Sequence, residues 1–250
     1  MPLRIGFDMD GVLADFSLAF HDVEARLFGP GPGINAGEPA REEEDQQRIA
    51  RRAEDQGLTE KLPLDEAAVD PASGMSAREA RRRRDVVWRN IQSTPNFWSR
   101  LKPIDEDAVR RIHEMTRRLK WEVFFITQRP KTDGDTVQRQ TQQWLVDHGF
   151  DLPSVLVLGG SRGAAAGALR LDYHIDDSAQ NCLDVIAHSR AKPILIVPDN
   201  DETVIANARK VGVGTAQSIG ECLDILEKAT GARVSPGLLA RIATMVGWKT

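Results

Sequence analysis

Three short pieces of the sequence place acidic or hydroxyl side chains directly after an apolar run. Each run is brief, rich in β-branched or aromatic residues, and ends at a polar residue, which is typical of a β-strand. Because the carboxyl ends of parallel strands meet at one edge of a sheet, we expect the three pieces to lie close together. The pieces are Asp8-Met9-Asp10-Gly11-Val12 after residues 3–7, Thr127-Gln128-Arg129 after residues 123–126, and Asp176-Asp177 after residues 173–175.

The four carboxylates that converge at this edge require a positive counter-charge. Like charges at close range raise one another's pKa and destabilise a site. Mg²⁺ prefers oxygen ligands, accepts one or two carboxylates, and keeps its other positions for water or phosphate. The acids therefore predict a Mg²⁺ site, formed by Asp8, Asp10, Asp176 and Asp177.

With a metal bound, these pieces carry the groups that phosphoryl transfer needs. Asp8 can attack phosphorus and form an aspartyl-phosphate, while Asp10 can protonate the leaving oxygen and later activate water. Gly11 permits a tight turn that exposes backbone N–H groups to phosphate oxygens. Thr127 offers a hydroxyl donor to the phosphate, and Gln128 beside it is assigned to the same role.

A cation is also required beside the transferring group, because phosphoryl transfer relies on positioning and charge stabilisation. Arg162 lies in the Gly-rich piece 159–163, after a strand predicted at residues 155–158, and is the preferred candidate for phosphate binding. Arg129 is the nearest substitute cation.

The surrounding pattern predicts an α/β fold, with a Rossmann-like parallel sheet and helices on both faces. Short strand-like runs alternate with helical stretches along most of the chain, and such alternation is typical of parallel sheets. A fifth strand is expected at residues 194–197, and helices are expected at residues 105–120, 135–148, 179–189 and 203–211.

One long segment breaks this alternation and is predicted to be a helical cap inserted after the first strand. It comprises residues 17–101, whose part 29–75 is rich in glycine, proline and charge and has little to bury. Helices are expected at residues 16–28 and 76–91, and a shorter helical piece at 94–101. The core domain is assigned to residues 1–16 and 102–230, and a C-terminal helical extension to residues 231–250, with helices at 219–229 and 236–246 that break at Gly231.

Together the motifs resemble those of the haloacid dehalogenase (HAD) superfamily of phosphatases. DMDGV, FFITQR and YHIDD occur in this order, each closing a predicted strand, as the first, second and fourth motifs of that superfamily do. The resemblance implies that Asp8 is nucleophile and metal ligand, and that Asp10 is the acid/base and binds the metal through its backbone carbonyl. It also implies phosphate binding by Thr127 and metal ligation by Asp176 and Asp177. The third motif of the superfamily is usually a lysine, and Arg162 stands in its place with a different geometry.

Three longer segments, DMDGVLADF, TPNFWSRLKPIDEDAVRRIHEM and RLDYHIDD, resemble the 5′(3′)-deoxyribonucleotidase branch of that superfamily. This resemblance implies a 5′-nucleotidase acting on (deoxy)nucleoside monophosphates, with aromatic cap residues that enclose the base. Phe16, Phe97 and Trp98 fit that role, and the alternative is that they form the cap's own core. The resemblance does not cover residues 29–75 or the tail after residue 218.

Two other functions stay open. One is a HAD phosphatase for a different small phosphoester or for a nucleic-acid end, in which case the arginines of residues 78–89 would line a basic groove. A solvated helix face is the favoured interpretation of that arginine run, since Glu79 and Asp85 lie within helical reach of it. The other is a non-catalytic binding protein that keeps the HAD fold.

The composition excludes several classes of protein. A net charge of −4 provides no global attraction to nucleic acid or to an anionic membrane. The two cysteines, Cys182 and Cys222, predict buried thiols in a reducing compartment. No apolar run approaches the ~20 residues that a membrane-spanning helix needs. We expect a soluble cytoplasmic protein with a small phosphorylated substrate, and the sequence leaves its oligomeric state open, a homodimer included.

Overall fold

A fully parallel β-sheet of six strands forms the centre of the computed structural model, which describes residues 2–29, 34 and 76–232. Helices follow the strands in alternation, so the fold is of the predicted Rossmann-like α/β class. The strands are β1 (Arg4–Asp8), β2 (Glu122–Thr127), β3 (Val155–Val157), β4 (Tyr173–Asp176), β5 (Lys192–Ile196) and β6 (Gly214–Ala216).

The strand order β3-β2-β1-β4-β5-β6 places β1 in the middle of the sheet. Helices cover both faces of such a sheet, so a central strand is buried on both sides, and Ile5 and Phe7 of β1 have no exposed surface. The chain builds outward from β1 to β3 and then returns to β4 on the other side. This reversal leaves a crevice beyond the carboxyl ends of β1 and β4, where ligands bind in open α/β sheets.

Eight α-helices and one 3₁₀ helix accompany the strands in the described part of the chain. Seven of the α-helices match predicted helices to within about three residues at either end, and no bounds were predicted for the helix Arg162–Ala168. The 3₁₀ helix Phe97–Arg100 lies inside the shorter helical piece predicted at residues 94–101. The α-helices are α1 (Phe16–Phe28), α2 (Ala77–Gln92), α3 (Ala108–Leu119), α4 (Val137–Asp147), α5 (Arg162–Ala168), α6 (Ala179–His188), α7 (Glu202–Lys210) and α8 (Ile219–Ala232).

The structure departs from the predicted elements in two places. Strand β6 was not predicted, because its three residues, Gly-Thr-Ala, form no apolar or β-branched run and its hydrogen bonds to β5 define it instead. The predicted helix break at Gly231 is wrong, since α8 continues through Gly231 to Ala232. The helix predicted at residues 236–246, and residues 30–33 and 35–75 of the predicted cap, lie outside the described residues.

The described residues between β1 and β2 form helices and loops but no strand, as expected for a helical insert after the first strand. Helices α1 and α2 pack through aromatic rings, with Phe16 stacked on Trp88 at 5.3 Å between ring centroids. A partly buried ion pair joins the same helices, where Arg83 Nε lies 2.8 Å from Glu24 Oε1. The two helices are therefore held together by apolar and charged contacts at once.

Two expectations from composition can be compared with the structure. Cys182 and Cys222 are both buried and both free thiols, as predicted. Among residues 2–29, 34 and 76–232, no helix combines the length and the apolar character that crossing a membrane requires.

Candidate active site

The carboxyl edge of the sheet brings together Asp8, the last residue of β1, and Asp176, the last residue of β4. Arg162, the first residue of α5, reaches both acids. Its Nη2 donates a hydrogen bond of 2.6 Å to Asp8 Oδ1, and its Nε lies 3.8 Å from Asp176 Oδ2. The predicted nucleophile therefore lies beside the cation that the sequence assigned to the phosphate.

Asp177 completes a cluster of three acids at this edge. One ligand oxygen from each of Asp8, Asp176 and Asp177 lies within 4.8 Å of the other two, which is close enough for all three to bind one cation. Gly11 lies directly against Asp177, because a Cβ at Gly11 would lie 1.8 Å from Asp177 Oδ2. The absence of a side chain at residue 11 thus leaves room for the third acid.

The pKa values of the three acids differ with their surroundings. Burial raises the pKa of Asp8 well above its usual range, although the Arg162 charge acts in the opposite direction. Burial would also raise the pKa of Asp176, but the hydrogen bond and charge of His174 and the charge of Arg162 hold it below its usual value. Surrounding protein atoms and the Asp176 charge raise the pKa of Asp177 to about 7, although part of this side chain is exposed. A divalent cation would favour the ionised form of all three acids.

The position of Arg162 depends on the way α5 begins and packs. Ser161 caps the helix by accepting a hydrogen bond of 2.9 Å from Ala164 N, and its hydroxyl donates to Asp184 of α6 at 2.7 Å. Gly163 N donates to the same Asp184 carboxylate at 2.8 Å. A Cβ at Gly163 would lie 2.1 Å from the backbone oxygen of Asp184, so α5 and α6 are in backbone contact here. Gly163 therefore allows α5 to pack closely against α6, and this packing places the neighbouring Arg162 at the site.

Two polar side chains at this edge are buried without a full set of hydrogen bonds. The hydroxyl of Thr127, which ends β2, has no partner among the described residues, and neither do Nε and Nη1 of Arg162. Burying such groups unpaired costs free energy, so sites of this kind are typical of places where a ligand supplies the missing acceptor. Gln128 follows Thr127 and is half-buried.

Asp10 lies on the loop after β1 and is bound by Arg129, which follows β2. The Arg129 Nε and Nη2 donate to the two Asp10 carboxylate oxygens at 2.9 and 2.8 Å. The loop that carries Asp10 is closed by hydrogen bonds from Leu13 N and Ala14 N to Met9 O. The strong pairing of Asp10 with Arg129 was not predicted from the sequence, which considered Arg129 only as a substitute phosphate ligand.

Two of the three aromatic candidates for substrate contact lie in the hydrophobic core. Trp98 and Phe97 are only 1% and 7% exposed and belong to the main hydrophobic core, so their side chains offer little surface to a substrate. Trp98 instead packs under the Arg129 guanidinium, 4.9 Å from the ring centroid. Phe16 is half-buried and contacts Trp98 at 5.6 Å between ring centroids. Of the three aromatic candidates, Phe16 alone keeps appreciable surface.

His174 contacts Asp176 at the site, and this contact was not predicted from the sequence. It has no exposed surface, and its Nε2 lies 2.9 Å from Asp176 Oδ2. The second carboxylate oxygen of Asp176 accepts hydrogen bonds from Ser178 N at 2.9 Å and from Asn181 Nδ2 at 3.1 Å. Residues two apart on a strand share one face, so the positions of His174 and Asp176 in β4 carried a usable signal.

Several solved structures to which the chain is similar are HAD-type hydrolases. One is the 2-haloacid dehalogenase from Pseudomonas syringae pv. Tomato DC3000, with 17% identity over 96% of this chain and 99% of that chain and a TM-score of 0.42. Another is the L-2-haloacid dehalogenase from Xanthobacter autotrophicus, with 11% identity over 91% and 99% of the two chains and a TM-score of 0.47. A third is a HAD hydrolase, family IA, variant 3, from Entamoeba histolytica, with 11% identity over 88% and 95% and a TM-score of 0.44.

No protein-family model matches the sequence, and no curated protein sequence is significantly similar to it. The identities of 11–17% to the three solved structures are too low to transfer a function. The function of the chain must therefore be inferred from the geometry of the site.

Proposed function

We propose that the chain is a magnesium-dependent phosphomonoester hydrolase of the HAD type that forms an aspartyl-phosphate on Asp8. The observation that carries this proposal is the set of groups around that residue. Asp8 is held by Arg162 at 2.6 Å, while the Thr127 hydroxyl and two Arg162 nitrogens have hydrogen bonds still to make. A phosphoryl group has three outer oxygens that accept such bonds.

The residues present fit a Mg²⁺ ion. Asp8, Asp176 and Asp177 offer three oxygen ligands within 4.8 Å of one another, and Mg²⁺ prefers oxygen ligands. When bound, the ion would balance the charge of the carboxylates and of the phosphoryl oxygens. In this proposal the backbone carbonyl of Asp10 is a further ligand, as the motif resemblance implies.

The side chains of the site divide the reaction between them. Asp8 attacks phosphorus, a bond forms between its carboxylate and the phosphoryl group, and the bond to the leaving oxygen breaks as Asp10 donates a proton to it. Asp10 then removes a proton from water, the resulting nucleophile attacks the phosphoryl group, and Asp8 is released. Arg162 and Thr127 bind the phosphoryl oxygens through both steps, with Gln128 as a further candidate donor.

A dehalogenase, the activity named for two of the similar structures, is the weaker candidate on chemical grounds. A halide is a stable anion and leaves without receiving a proton, so a second acid beside the nucleophile would have no task. Here Asp10 follows the nucleophile by two residues, and Asp176 and Asp177 add further negative charge that carbon–halogen chemistry does not use. In a phosphatase, a leaving group that needs a proton accounts for Asp10, and a bound metal accounts for Asp176 and Asp177.

We propose a (deoxy)nucleoside monophosphate as the substrate, bound under a cap that includes α1 and α2. The resemblance of three segments to the 5′(3′)-deoxyribonucleotidase branch supports this choice. The half-buried ring of Phe16 also supports it, because an aromatic ring that keeps accessible surface can stack on a nucleobase.

The test measures phosphate release by the full chain from p-nitrophenyl phosphate, with and without Mg²⁺, and then from a panel of nucleoside monophosphates and sugar phosphates. We expect Mg²⁺-dependent release that Asp8→Asn abolishes. Equal release by wild type and Asp8→Asn would refute the mechanism, and absence of release with intact folding would favour a non-catalytic binding protein. A sugar phosphate or an oligonucleotide 3′-phosphate hydrolysed faster than every nucleotide would refute the nucleotidase assignment alone.

A further inference from the structure

Arg129 is one of the most completely buried charged side chains near the site. Its side chain is 1% exposed, whereas the Asp10 side chain that it binds is 26% exposed. Three contacts join the two groups, from Nε to Oδ2 at 2.9 Å, from Nε to Oδ1 at 3.2 Å and from Nη2 to Oδ1 at 2.8 Å. The fork of the guanidinium thus fixes the plane of the carboxylate and leaves its outer side accessible.

The surroundings of Arg129 fix the guanidinium itself. Its Nη1 donates to Thr141 Oγ1 of α4 at 3.0 Å, and the Trp98 ring lies beneath it at 4.9 Å. Trp98 is held in turn, since its Nε1 donates to Pro130 O at 2.9 Å and its backbone N–H donates to Gln140 Oε1 at 3.0 Å. Contacts from α4 and from the 3₁₀ helix therefore converge on one arginine.

We propose that Arg129 is a positioning residue that orients the Asp10 carboxylate for proton transfer to the leaving oxygen. The proposal rests on the proposed function, because it assigns Asp10 the acid/base role. A phosphate-binding role fits Arg129 less well, since each of its three nitrogens already donates to a protein acceptor. Oδ1 accepts two of the three contacts and Oδ2 accepts one, so Oδ2 keeps a lone pair through which Asp10 can exchange a proton with the leaving oxygen while Arg129 holds it.

Lysine cannot replace this function of arginine. An ammonium group presents its donors around one point, whereas the guanidinium presents a planar fork that matches both carboxylate oxygens. Arg129→Lys keeps the charge and removes the fixed plane of Asp10. The substitution therefore separates orientation from charge.

The experiment compares two substrates whose leaving groups differ in their need for a proton. p-Nitrophenolate departs readily without one, whereas the sugar alkoxide of thymidine 5′-monophosphate needs it. We expect Arg129→Lys to lower kcat/KM for the nucleotide on the order of 10²-fold, the lower range for general acid catalysis, and for p-nitrophenyl phosphate by less than about tenfold. The comparison uses kcat/KM because that quantity includes the step in which the leaving group departs.

Two further variants calibrate the result. Thr141→Val removes only the third hydrogen bond of Arg129, and we expect a smaller loss with the same preference for the nucleotide. Arg139→Lys makes the matched change at an exposed arginine of α4 that pairs with Asp135, and we expect no change on either substrate. Thermal unfolding of each variant establishes that it is folded.

Equal losses on both substrates, or a larger loss on p-nitrophenyl phosphate, would overturn the positioning role. A crystal structure of Arg129→Lys gives a test that does not depend on turnover, since we expect the Asp10 carboxylate to rotate from its present plane. An unmoved carboxylate would overturn the proposal. Failure of the proposed function has a different signature, namely equal activity of wild type and Asp8→Asn, or none in either.

Discussion

Two buried arginines flank the candidate site, and they are held in different ways. Arg162, on the β4 side, makes one hydrogen bond to Asp8, and its Nε and Nη1 have no hydrogen-bond partner among the described residues. Arg129, on the β2 side, binds Asp10 through two nitrogens and Thr141 through the third. Both have the same side chain and similar burial, so the difference lies in the donors that remain available.

The difference separates two tasks that the sequence could not distinguish. A cation with donors to spare can bind a ligand that arrives, which fits Arg162 to the phosphoryl group. A cation whose nitrogens are all engaged serves the residue it holds, which fits Arg129 to the orientation of Asp10. Substitutions at Asp8, at Arg162 and beside the metal ligands test the first of these two sides and sharpen the contrast with Arg129.

The largest effect is expected from Asp8→Asn, which removes the nucleophile and keeps its size. Loss of a covalent nucleophile lowers kcat by many orders of magnitude in other hydrolases, so we expect a loss of at least about 10³-fold here. Steady-state phosphate release from p-nitrophenyl phosphate measures it, with circular dichroism to establish the fold. A loss of only a few fold would mean that Asp8 is not the attacking group.

Arg162 and Arg129 should differ most clearly in their tolerance of lysine. We expect Arg162→Gln to lower kcat on the order of 10²-fold, because it removes a charged donor to the transferring group. We expect Arg162→Lys to lose less activity than Arg162→Gln, because an ammonium keeps the charge and three donors for Asp8 and the phosphoryl group. Measured beside Arg129→Lys, equal sensitivity at the two positions would contradict the division of tasks.

Gly11→Ala tests the space reserved for Asp177. The new Cβ would lie 1.8 Å from Asp177 Oδ2, so the acid must move, and we expect Mg²⁺ affinity to fall by more than about 100-fold, the upper range for loss of a residue that supports a ligand. Gly29→Ala is the matched control, because Gly29 also has a positive φ of 81° but would meet no described atom within 4 Å. Calorimetric titration with Mg²⁺ measures both. Similar affinities would exclude Asp177 as a ligand.

The smallest effect is expected behind Asp176, where His174 supports the carboxylate. His174→Leu removes the hydrogen bond of 2.9 Å and keeps an apolar side chain in place, and we expect the Mg²⁺ dissociation constant to rise about 10–100-fold. His174→Gln keeps an N–H donor at a similar distance along the side chain and should lose less. If both variants bind Mg²⁺ as wild type does, His174 serves packing alone.

The sheet was largely predictable because its strands are apolar runs that end at polar residues. Strands β1 to β5 were recognised by that pattern, and their parallel arrangement followed from the helices between them. Strand β6 could not be recognised, since a three-residue run of small side chains acquires its structure from pairing with β5. The continuation of α8 through Gly231 was missed because glycine has a weak helix propensity, and the sequence does not show that Thr230, just before it, accepts a hydrogen bond of 2.9 Å from Trp121 Nε1.

The site was predictable where a residue ends a strand and less so where it follows a loop. Asp8, Thr127 and Asp176 end β1, β2 and β4, so the topology alone brings them to one edge. The pairing of Arg129 with Asp10 depends on the direction of two side chains after their strands end. Trp98 was assigned to the substrate because the sequence likewise does not reveal side-chain direction, so it cannot show whether the ring faces a ligand or the core.

The backbone contact at Gly163 has a consequence for the way this chain can vary. In a library with residues 159, 160 and 163 fully randomised and selected for phosphate release, Gly159 and Gly160 should accept many replacements, because a Cβ at either would meet no described atom within 4 Å. Residue 163 should return glycine almost without exception, since any larger residue would force α5 away from Asp184 and carry its neighbour Arg162 with it. A residue with no side chain would then be as strictly selected as the nucleophile.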